Sequence, residues 1–410
     1  MSGNVENVRN EEATFYLLQD VPEHELLCLT FYKNLLSELH YIDSDKMDLG
    51  RRVPYPERED CFLDFYYSYV VWDSGNKIYM APRGYVNSNY IAVYDKEKKD
   101  FEYIAINIPD KLLDDDNNCK IMEWWVNTEW HYIASPKFHR IYQQDNYLFC
   151  IPNSYPAIVR VDLLTNEVSY YDSFINELMD MDKLCGKMNS YAFGTSVRVG
   201  SKAYLTYRFA DLIVEFDMKS TESKVLLFSE SNVGNHHIVR VKDSLWILAK
   251  DKPVMTIFNL VTGETAKCDY EAEIPKGLQW TQMEFWDGFI ILRTGVPGQI
   301  WKIDVNDGKL SLADELIKWM SDVEYMSSMR VYKGSLYFTT NIGCLYHMSN
   351  IGATCNKRKL KVGDESRKII YEKALSYIKK DTGAVMQEGL FHNLPLYLYQ
   401  ISKGNDMNEK

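Results

Sequence analysis

Short apolar segments of strand length, separated by polar turns, recur along most of the chain. A representative pair is TSVRVGSKAYLTY at 195–207, in which two apolar segments flank a tight Gly-Ser turn. Two strand-sized segments joined in this way predict a β-hairpin. The longest apolar runs, such as FIILRTGV at 289–296, are far shorter than the roughly 18 residues that a membrane-spanning helix needs. The pattern therefore predicts an all-β protein without membrane spans.

The hairpins belong to a larger repeated unit of four strands. The first two strands of the unit are rich in Tyr, Phe and Trp, and they recur at 69–82, 138–152, 195–207, 237–249, 282–293 and 328–340. Third strands follow at 89–97, 157–167, 212–220, 255–264, 299–309 and, more weakly, 344–350. We expect the aromatic side chains of the second strands to pack between neighbouring units.

A polar residue marks the end of the third strand in five units. The residues are Asp95, Asp162, Asp217, Asn259 and Asp304. Turn segments such as LTNE, VTGE and NDGK follow, and their Asn, Asp and Gly residues tolerate the positive φ that a tight reversal needs. The spacing gives a basic period near 45 residues with insertions in the early units. Four strands at that period are typical of a β-propeller.

The arrangement of the unit resembles the broad group of YVTN-, kelch- and PQQ-type propellers over residues 14–362. Neither the double glycine of kelch repeats nor the WD dipeptide occurs at the corresponding places, so the resemblance concerns how a blade is built and points to no particular family. It implies a ring of four-stranded blades with a binding surface on one face.

A further unit occupies the N-terminal part of the chain. Residues 14–42 align with 77–105, which form strands two to four of a blade. This blade would then lack its innermost strand, and the apolar segment at 394–401 is a candidate for it, because strands from both chain ends often close a propeller ring. The sequence thus predicts seven blades, with six blades and a decorated N-terminus as the alternative.

Three segments follow from this division. They are a flexible N-terminus at 1–13, the propeller at 14–362, and a C-terminal helix and closing segment at 363–410. The helix is expected at 364–380, where apolar residues recur on one face.

Composition narrows the possible functions. The chain has 410 residues and a net charge of −12, which argues against nucleic-acid partners, because these require a basic face. Its eight cysteines form no CxxC pair, which favours free thiols and a reducing compartment. The polar N-terminus has no apolar signal region. We therefore expect a cytoplasmic protein with no membrane partner and, since no cofactor or metal motif occurs, no cofactor.

Long insertions fall between a fourth strand and the next first strand, at 109–136, 174–190 and 313–325. In a propeller these connections open on one face of the ring, and long loops are usually functional. The first insertion contains Trp124 and Trp125, which suit stacking against a sugar or an apolar patch of a partner. The alternative is that they anchor the loop to the rim. The acidic run Asp114–Asp116 in the same insertion is interpreted as solvated rather than metal-binding.

Polar residues leave the second strands toward the same face. They are Arg83, Asn153, Arg208, Lys250, Arg293 and Asn341. Four of the six are cationic in an acidic chain, so a ring of this kind would attract an anionic ligand. The alternative is that they are ordinary loop residues. Arginines also recur on the first strands, at 140, 198, 240 and 330, and we interpret these as contacts between blades.

No catalytic motif is present, and the histidines at the predicted mouth are the weak catalytic candidates: His139 and His237, with His236 adjacent. The sequence favours a non-catalytic recognition propeller that binds a protein, peptide or anionic glycan at its loop-rich face. The alternative is an enzyme of the lyase, hydrolase or isomerase kind with a site in the central funnel. Propeller enzymes can take one residue from each blade, so the lack of a motif leaves this alternative open.

Overall fold

The protein folds into seven four-stranded antiparallel sheets, and the strands of each sheet follow one another in chain order. The computed structural model describes residues 13–17, 26–32, 36–54, 70–81, 90–106, 137–153, 155–175, 177–178, 193–229, 234–250 and 252–361. The predicted seven-bladed all-β propeller is confirmed.

The first three blades comprise twelve strands. Blade 1 contains β1 (Ala13–Leu17), β2 (Leu27–Tyr32), β3 (Leu36–Asp43) and β4 (Asp48–Arg52). Blade 2 contains β5 (Val70–Asp73), β6 (Lys77–Ala81), β7 (Tyr90–Asp95) and β8 (Asp100–Ala105). Blade 3 contains β9 (Phe138–Gln144), β10 (Tyr147–Pro152), β11 (Ile158–Asp162) and β12 (Val168–Tyr171).

The remaining four blades follow the same plan. Blade 4 contains β13 (Phe193–Val199), β14 (Lys202–Tyr207), β15 (Asp211–Asp217) and β16 (Ser223–Ser229). Blade 5 contains β17 (Asn235–Val241), β18 (Ser244–Ala249), β19 (Val254–Asn259) and β20 (Thr265–Asp269). Blade 6 contains β21 (Gln282–Trp286), β22 (Phe289–Arg293), β23 (Ile300–Asp304) and β24 (Leu310–Leu312), and blade 7 contains β25 (Met326–Tyr332), β26 (Ser335–Thr340), β27 (Cys344–Met348) and β28 (Asn356–Lys359). The short helix α1 (Asp314–Ile317) lies between blades 6 and 7.

The turn between strands three and four is built in the same way in five blades. In blade 3, for example, the Asp162 carboxylate accepts from the backbone N–H of Leu164 at 2.8 Å, and the Asn166 N–H donates to the Asp162 carbonyl at 2.8 Å. The fifth residue of each turn has a positive φ: Lys99, Asn166, Thr221, Gly263 and Gly308. The predicted equivalence of the five Asp and Asn positions is therefore confirmed.

The hydrophobic core is a ring of interblade layers rather than one central mass. In the described part of the chain the buried apolar residues form seven clusters, and each cluster draws residues from two adjacent blades. Aromatic residues at the third position of the second strand are buried in these layers: Tyr79, Phe149, Tyr204, Trp246 and Tyr337. The predicted packing of second-strand aromatics between blades is confirmed for these five.

The N-terminal blade differs from the sequence-based expectation. Its inner strand is β1 (Ala13–Leu17), the segment aligned with a second strand, so the expectation that this blade lacks its own inner strand is wrong. Phe15 and Leu17 pack with Tyr337 and Leu345 of blade 7, which closes the ring. The segment at 394–401 and the helix expected at 364–380 lie outside the described residues.

The sequence also predicts free cysteine thiols and no membrane-spanning segment. Five cysteines lie in the described part, all of them free thiols and four of them buried: Cys28, Cys150, Cys268, Cys344 and Cys355. No helix among the described residues has the length and apolar character required to cross a membrane.

Candidate functional site

The two histidines predicted as weak catalytic candidates are buried at contacts between blades. His139 of blade 3 has Nδ1 at 2.9 Å from the Pro152 carbonyl and Nε2 at 2.9 Å from Ser196 Oγ of blade 4. His237 of blade 5 has Nε2 at 2.6 Å from the Thr281 carbonyl, which precedes blade 6. Both rings therefore connect neighbouring blades, and these contacts are those of structural residues.

Two of the six residues predicted to follow the second strands are asparagines, and their side chains bind backbone groups of neighbouring segments. The Asn153 amide donates to the Phe193 carbonyl of blade 4 at 3.1 Å. The Asn341 side chain accepts from the Tyr325 N–H at 2.9 Å and donates to the Val323 carbonyl at 3.2 Å. Positions in blades 3 and 7 that were expected to face a ligand thus carry amides that fix the loops beside them.

Arg208 and Lys250 occupy the same position in adjacent blades and meet at one glycine. The backbone carbonyl of Arg208 lies so close to Gly234 that a Cβ there would come within 1.8 Å of it. The Lys250 N–H donates to the Gly234 carbonyl at 2.7 Å. The Lys250 Nζ is 5.5 Å from the centre of the Phe209 ring, a cation–π contact that favours one position of the ammonium. Gly234 therefore brings the backbones of Arg208 and Lys250 together at the start of β17.

Arg293 reaches this region from a different position in its strand. Most members of the predicted ring follow the first residue of the second strand by six positions, namely Asn153, Arg208, Lys250 and Asn341, whereas Arg293 follows Phe289 by four. Arg293 pairs with Gln282 inside the sheet, and its guanidinium donates to the Ser327 carbonyl of blade 7. The predicted equivalence of Arg293 with the strand-exit residues is therefore wrong.

His236 lies within the electrostatic reach of these three cations. Its partly exposed ring lies 4.2 Å from that of His237, centre to centre. Burial lowers the pKa of His236, and the charges of Arg208, Lys250 and Arg293 lower it further, to about 3. The imidazole is therefore neutral at physiological pH, and the site has three fixed positive charges around one neutral ring. We call Arg208, Lys250, Arg293 and His236 the cationic cluster.

Sequence reasoning placed His236 beside the mouth without assigning it a role. The signal that could have found it is the Gly-Asn-His-His run at 234–237, because a glycine immediately before an inner strand permits close approach of the neighbouring blade. A motif search would not detect the cationic cluster, since its three cations come from three separate blades.

Two of the four inner-strand arginines, Arg140 and Arg198, connect blades as predicted. Arg140 of blade 3 donates to the Ser196 carbonyl of blade 4, and Arg198 of blade 4 donates to the Gln143 carbonyl of blade 3 at 2.6 Å. Arg240 instead donates to a carbonyl of its own hairpin turn. The first two arginines therefore stabilise the ring rather than line a ligand site.

The long loop at 313–325 is anchored by a buried carboxylate. Glu324 accepts from the Ser321 N–H at 2.8 Å, from the Tyr346 hydroxyl at 2.9 Å and from Lys357 at 2.9 Å. Burial raises the pKa of Glu324, but hydrogen bonds from Ser321, Lys357 and Tyr346 outweigh it, so the pKa lies below its ordinary value. This loop therefore has a fixed connection to blade 7.

Three predicted site residues, Arg83, Trp124 and Trp125, lie outside the described residues, and so does the acidic run Asp114–Asp116, which was interpreted as solvated. Among the residues that the structure does describe, no group of three or more His, Cys, Asp or Glu side chains is placed to hold a metal ion.

No model of a protein family matches the chain, and no curated protein sequence matches it. Solved structures are similar in fold. Streptogramin B lyase is 14% identical with a TM-score of 0.48, over 80% of this chain and 94% of that one. BamB from Moraxella catarrhalis is 13% identical with a TM-score of 0.46, over 81% and 83%. The Cps50 (Swd1) β-propeller domain of Myceliophteria thermophila is 9% identical with a TM-score of 0.49, over 81% and 93%.

Proposed function

We propose that the protein is a non-catalytic recognition propeller that binds an anionic ligand, carried by a protein, peptide or glycan, at the cationic cluster. Two observations support this in a chain of net charge −12: the backbones of Arg208 and Lys250 both contact Gly234, and the charges of Arg208, Lys250 and Arg293 lower the pKa of His236. Every charge that shifts the pKa of His236 is positive. An anion placed there would gain attraction from all three cations in a partly desolvated setting.

The enzyme alternative has less support from the described residues. A general base works best when its pKa is near the working pH, and His236, with a pKa of about 3, is far below it. Both ring nitrogens of His139 are engaged between blades, and His237 is buried with Nε2 on a carbonyl. These three described histidines are therefore poorly suited to proton transfer near pH 7, whereas the cations beside them suit binding.

Trp124, Trp125 and Arg83 complete the proposed surface. The two tryptophans belong to the sequence between Ala105, which pairs with Tyr90 at the start of β7, and Phe138, which pairs with Pro152 at the end of β10. We assign them to stacking against the neutral part of the ligand, while the cations bind its charged part. The double variant Trp124→Ala/Trp125→Ala tests this on a glycan and acidic-peptide array, where unchanged binding would contradict a stacking role.

The test of the cluster itself uses Lys250→Gln, because among described residues Lys250 forms no ion pair whose loss would destabilise the fold. Binding of an acidic peptide array is compared for wild type, Lys250→Gln and Lys219→Gln. Lys219 is an exposed lysine in the turn between β15 and β16, at the opposite end of the sheet. We expect Lys250→Gln to weaken binding about tenfold or more and Lys219→Gln to leave it unchanged. Equal effects of the two variants would refute a localised site.

A further inference from the structure

The loop at 313–325 carries an exposed aromatic side chain on a fixed backbone. Trp319 is 37% exposed and Val323 is 67% exposed, and no other Trp, Tyr or Phe residue in the described part of the chain is as exposed as Trp319. The Trp319 carbonyl and the Glu324 carboxylate lie 3.3 and 2.9 Å from the same Tyr346 hydroxyl. A tryptophan held in this way is typical of the anchor residues of interfaces, because little conformational entropy is lost when a partner covers it. We call Trp319 and Val323 the exposed apolar pair.

We propose that the exposed apolar pair is the docking surface for the C-terminal segment 364–380 of the same chain. The apolar residues of this segment recur at helical spacing: Ile370, Ala374, Tyr377 and Ile378. They would cover Trp319 and Val323 and form an intramolecular strap at the connection between blades 6 and 7. The proposed function does not depend on this contact, nor does the contact depend on the proposed function.

The described chain ends beside the exposed apolar pair. The Leu360 N–H donates to the Gly343 carbonyl at 3.0 Å, and the Lys359 ammonium donates to the carbonyl of Ile342. Both acceptors belong to the loop that follows β26. At the start of that loop the Asn341 amide donates to the Val323 carbonyl at 3.2 Å. The chain therefore leaves blade 7 at a loop that is itself bonded to the backbone of the pair.

Tethering favours the chain's own segment over a separate partner. Residues 362–370 join Lys361 to Ile370, and a stretch of this length spans about 15–30 Å, depending on how much of it is helical. A short tether gives the segment an effective concentration in the millimolar range at nearby surfaces. A contact too small to hold a separate chain can therefore hold this one.

The charges of the loop and of the segment are complementary. The loop has four acids and one base: Asp314, Glu315, Asp322, Glu324 and Lys318. Glu315 and Glu324 are each paired with a lysine of a strand, whereas Asp314 and Asp322 are exposed. The segment 364–380 has five basic and three acidic residues, although the whole chain has a net charge of −12. Exposed ion pairs add little affinity each, so the basic residues would mainly orient the segment against the two aspartates.

Hydroxyl-radical footprinting of the full chain measures how fast Trp319 is oxidised in solution. Tyr377→Asp places a charge among the apolar residues of the segment, and Ser376→Asp places the same charge one residue earlier, on the polar side of the predicted helix. Oxidation follows exposed area, so release of a covered Trp319 to its exposure of 37% should raise its rate about threefold. We expect this increase in Tyr377→Asp and the wild-type rate in Ser376→Asp. A Trp319 rate that is the same in wild type and Tyr377→Asp, or raised equally in both variants, would overturn the inference.

Carbodiimide cross-linking, read by mass spectrometry, identifies what covers the pair. The reagent joins a carboxylate to a lysine in direct contact, so Asp314 or Asp322 should be linked to a lysine of 364–380. A mixture of isotope-labelled and unlabelled chains separates links within one chain from links between two chains. We expect links within one chain, whereas links only between chains would assign the surface to a second copy and overturn the proposal, as would the absence of such links.

Two matched variants test whether the cross-link depends on the apolar contact. Trp319→Ala removes the side chain but leaves the carbonyl beside Tyr346, and it should lower the yield about tenfold, because the segment then buries much less apolar surface. Val261→Ala is the control, since Val261 is 77% exposed in the turn between β19 and β20, at the other end of its blade. We expect the control to leave the yield unchanged. Equal yields in wild type and Trp319→Ala would show that the pair does not hold the segment.

Discussion

The junction between blades 7 and 1 depends on a pair of hydroxyl groups whose removal should open the ring at that point. Ser328 Oγ accepts from the Leu17 N–H at 2.6 Å, and Thr339 Oγ1 donates to the Phe15 carbonyl at 2.7 Å. The two hydroxyls are 2.6 Å apart. In the described part of the chain these contacts, one ion pair and a shared apolar layer hold blade 1 to blade 7.

The double variant Ser328→Ala/Thr339→Val removes both hydroxyls and nearly conserves volume at Thr339. It leaves the N–H of Leu17 and the carbonyl of Phe15 buried without these partners, since the two residues are 3% and 1% exposed. Each such group costs about 1–3 kcal/mol, so we expect a loss of about 4 kcal/mol for the pair. At 1.4 kcal/mol per factor of ten, local opening of β1 would become roughly a thousandfold more frequent.

Hydrogen exchange read by mass spectrometry measures this opening in the peptide that contains Ala13–Leu17. A matched control exists at the junction of blades 4 and 5, where Thr206 Oγ1 donates to the His236 carbonyl at 3.1 Å and Thr195 Oγ1 accepts from the Ile238 N–H at 3.2 Å. The variant Thr195→Ala/Thr206→Val removes the same groups, but blades 4 and 5 are consecutive in the chain. We expect selective exchange at β1 in the first variant and no comparable selective exchange at β17 in the second. Equal acceleration at the two strands, or none at β1, would refute the reasoning.

Two further predictions concern stability. Glu324→Gln should lower the free energy of unfolding at pH 7 by about 2 kcal/mol, because it weakens charge-assisted hydrogen bonds to a buried group. The pKa of Glu324 in the folded protein lies below the ordinary 4.5, so this stabilisation is present above that pH. The difference in urea midpoint between wild type and variant should therefore shrink as the pH falls below about 4.5. A difference independent of pH would contradict this. Thr221→Gly should raise the free energy of unfolding by about 1 kcal/mol. Thr221 has a φ of 62°, and blades 5 and 6 have glycine at the equivalent position. The left-handed conformation costs a β-branched residue more than glycine loses in backbone entropy on folding. Ser220→Gly, with no positive φ, should lower the thermal midpoint, and a gain there would undermine the explanation.

The blade repeat could be predicted because its signals are local. A two-residue hairpin such as Asp287-Gly288, with φ of 50° and 83°, sets the register of the strands on either side. The turn after the third strand is equally local, since the Asp162 carboxylate accepts from the N–H groups of Leu164 and Thr165 in the same turn. Such turns depend only on residues that are adjacent in sequence, so the repeats of the unit could be recognised from the sequence alone.

The inner strand of blade 1 was misassigned because this local signal is missing there. Strands β1 and β2 are separated by residues 18–26, whereas the first two strands of blades 3 to 7 are joined by two residues. No tight turn marks the boundary between the first and second strands here, so the segment Ala13–Leu17 was aligned with a second strand on the basis of its aromatic residues. The error with Arg293 has a related cause. Counting from the Asp287-Gly288 turn would have placed it two residues before the strand-exit position.

The cationic cluster was only partly predictable because it depends on contacts between blades that are distant in sequence. Arg208 and Lys250 could be assigned to the mouth from their position, but their convergence requires the close approach of Arg208 to Gly234. Asn153 and Asn341 satisfied the same sequence rule and proved to bind backbone. A residue type at a repeated position therefore predicts where a side chain lies and leaves open what it contacts.

The net negative charge of the whole chain affects which anions the cationic cluster would bind. A protein with a net charge of −12 repels large polyanions at distances within a Debye length, about 8 Å at physiological ionic strength. A small anion, or one anionic group on an otherwise neutral partner, meets less of that repulsion and is attracted once it reaches the cations. Raising the salt concentration screens the attraction of the cations for either ligand and also the repulsion that a long polyanion meets, so affinity for a compact anion should fall more steeply with salt than affinity for a long one. Under the proposed function, the surrounding acidity therefore favours a single charged group over a long polyanion as the ligand.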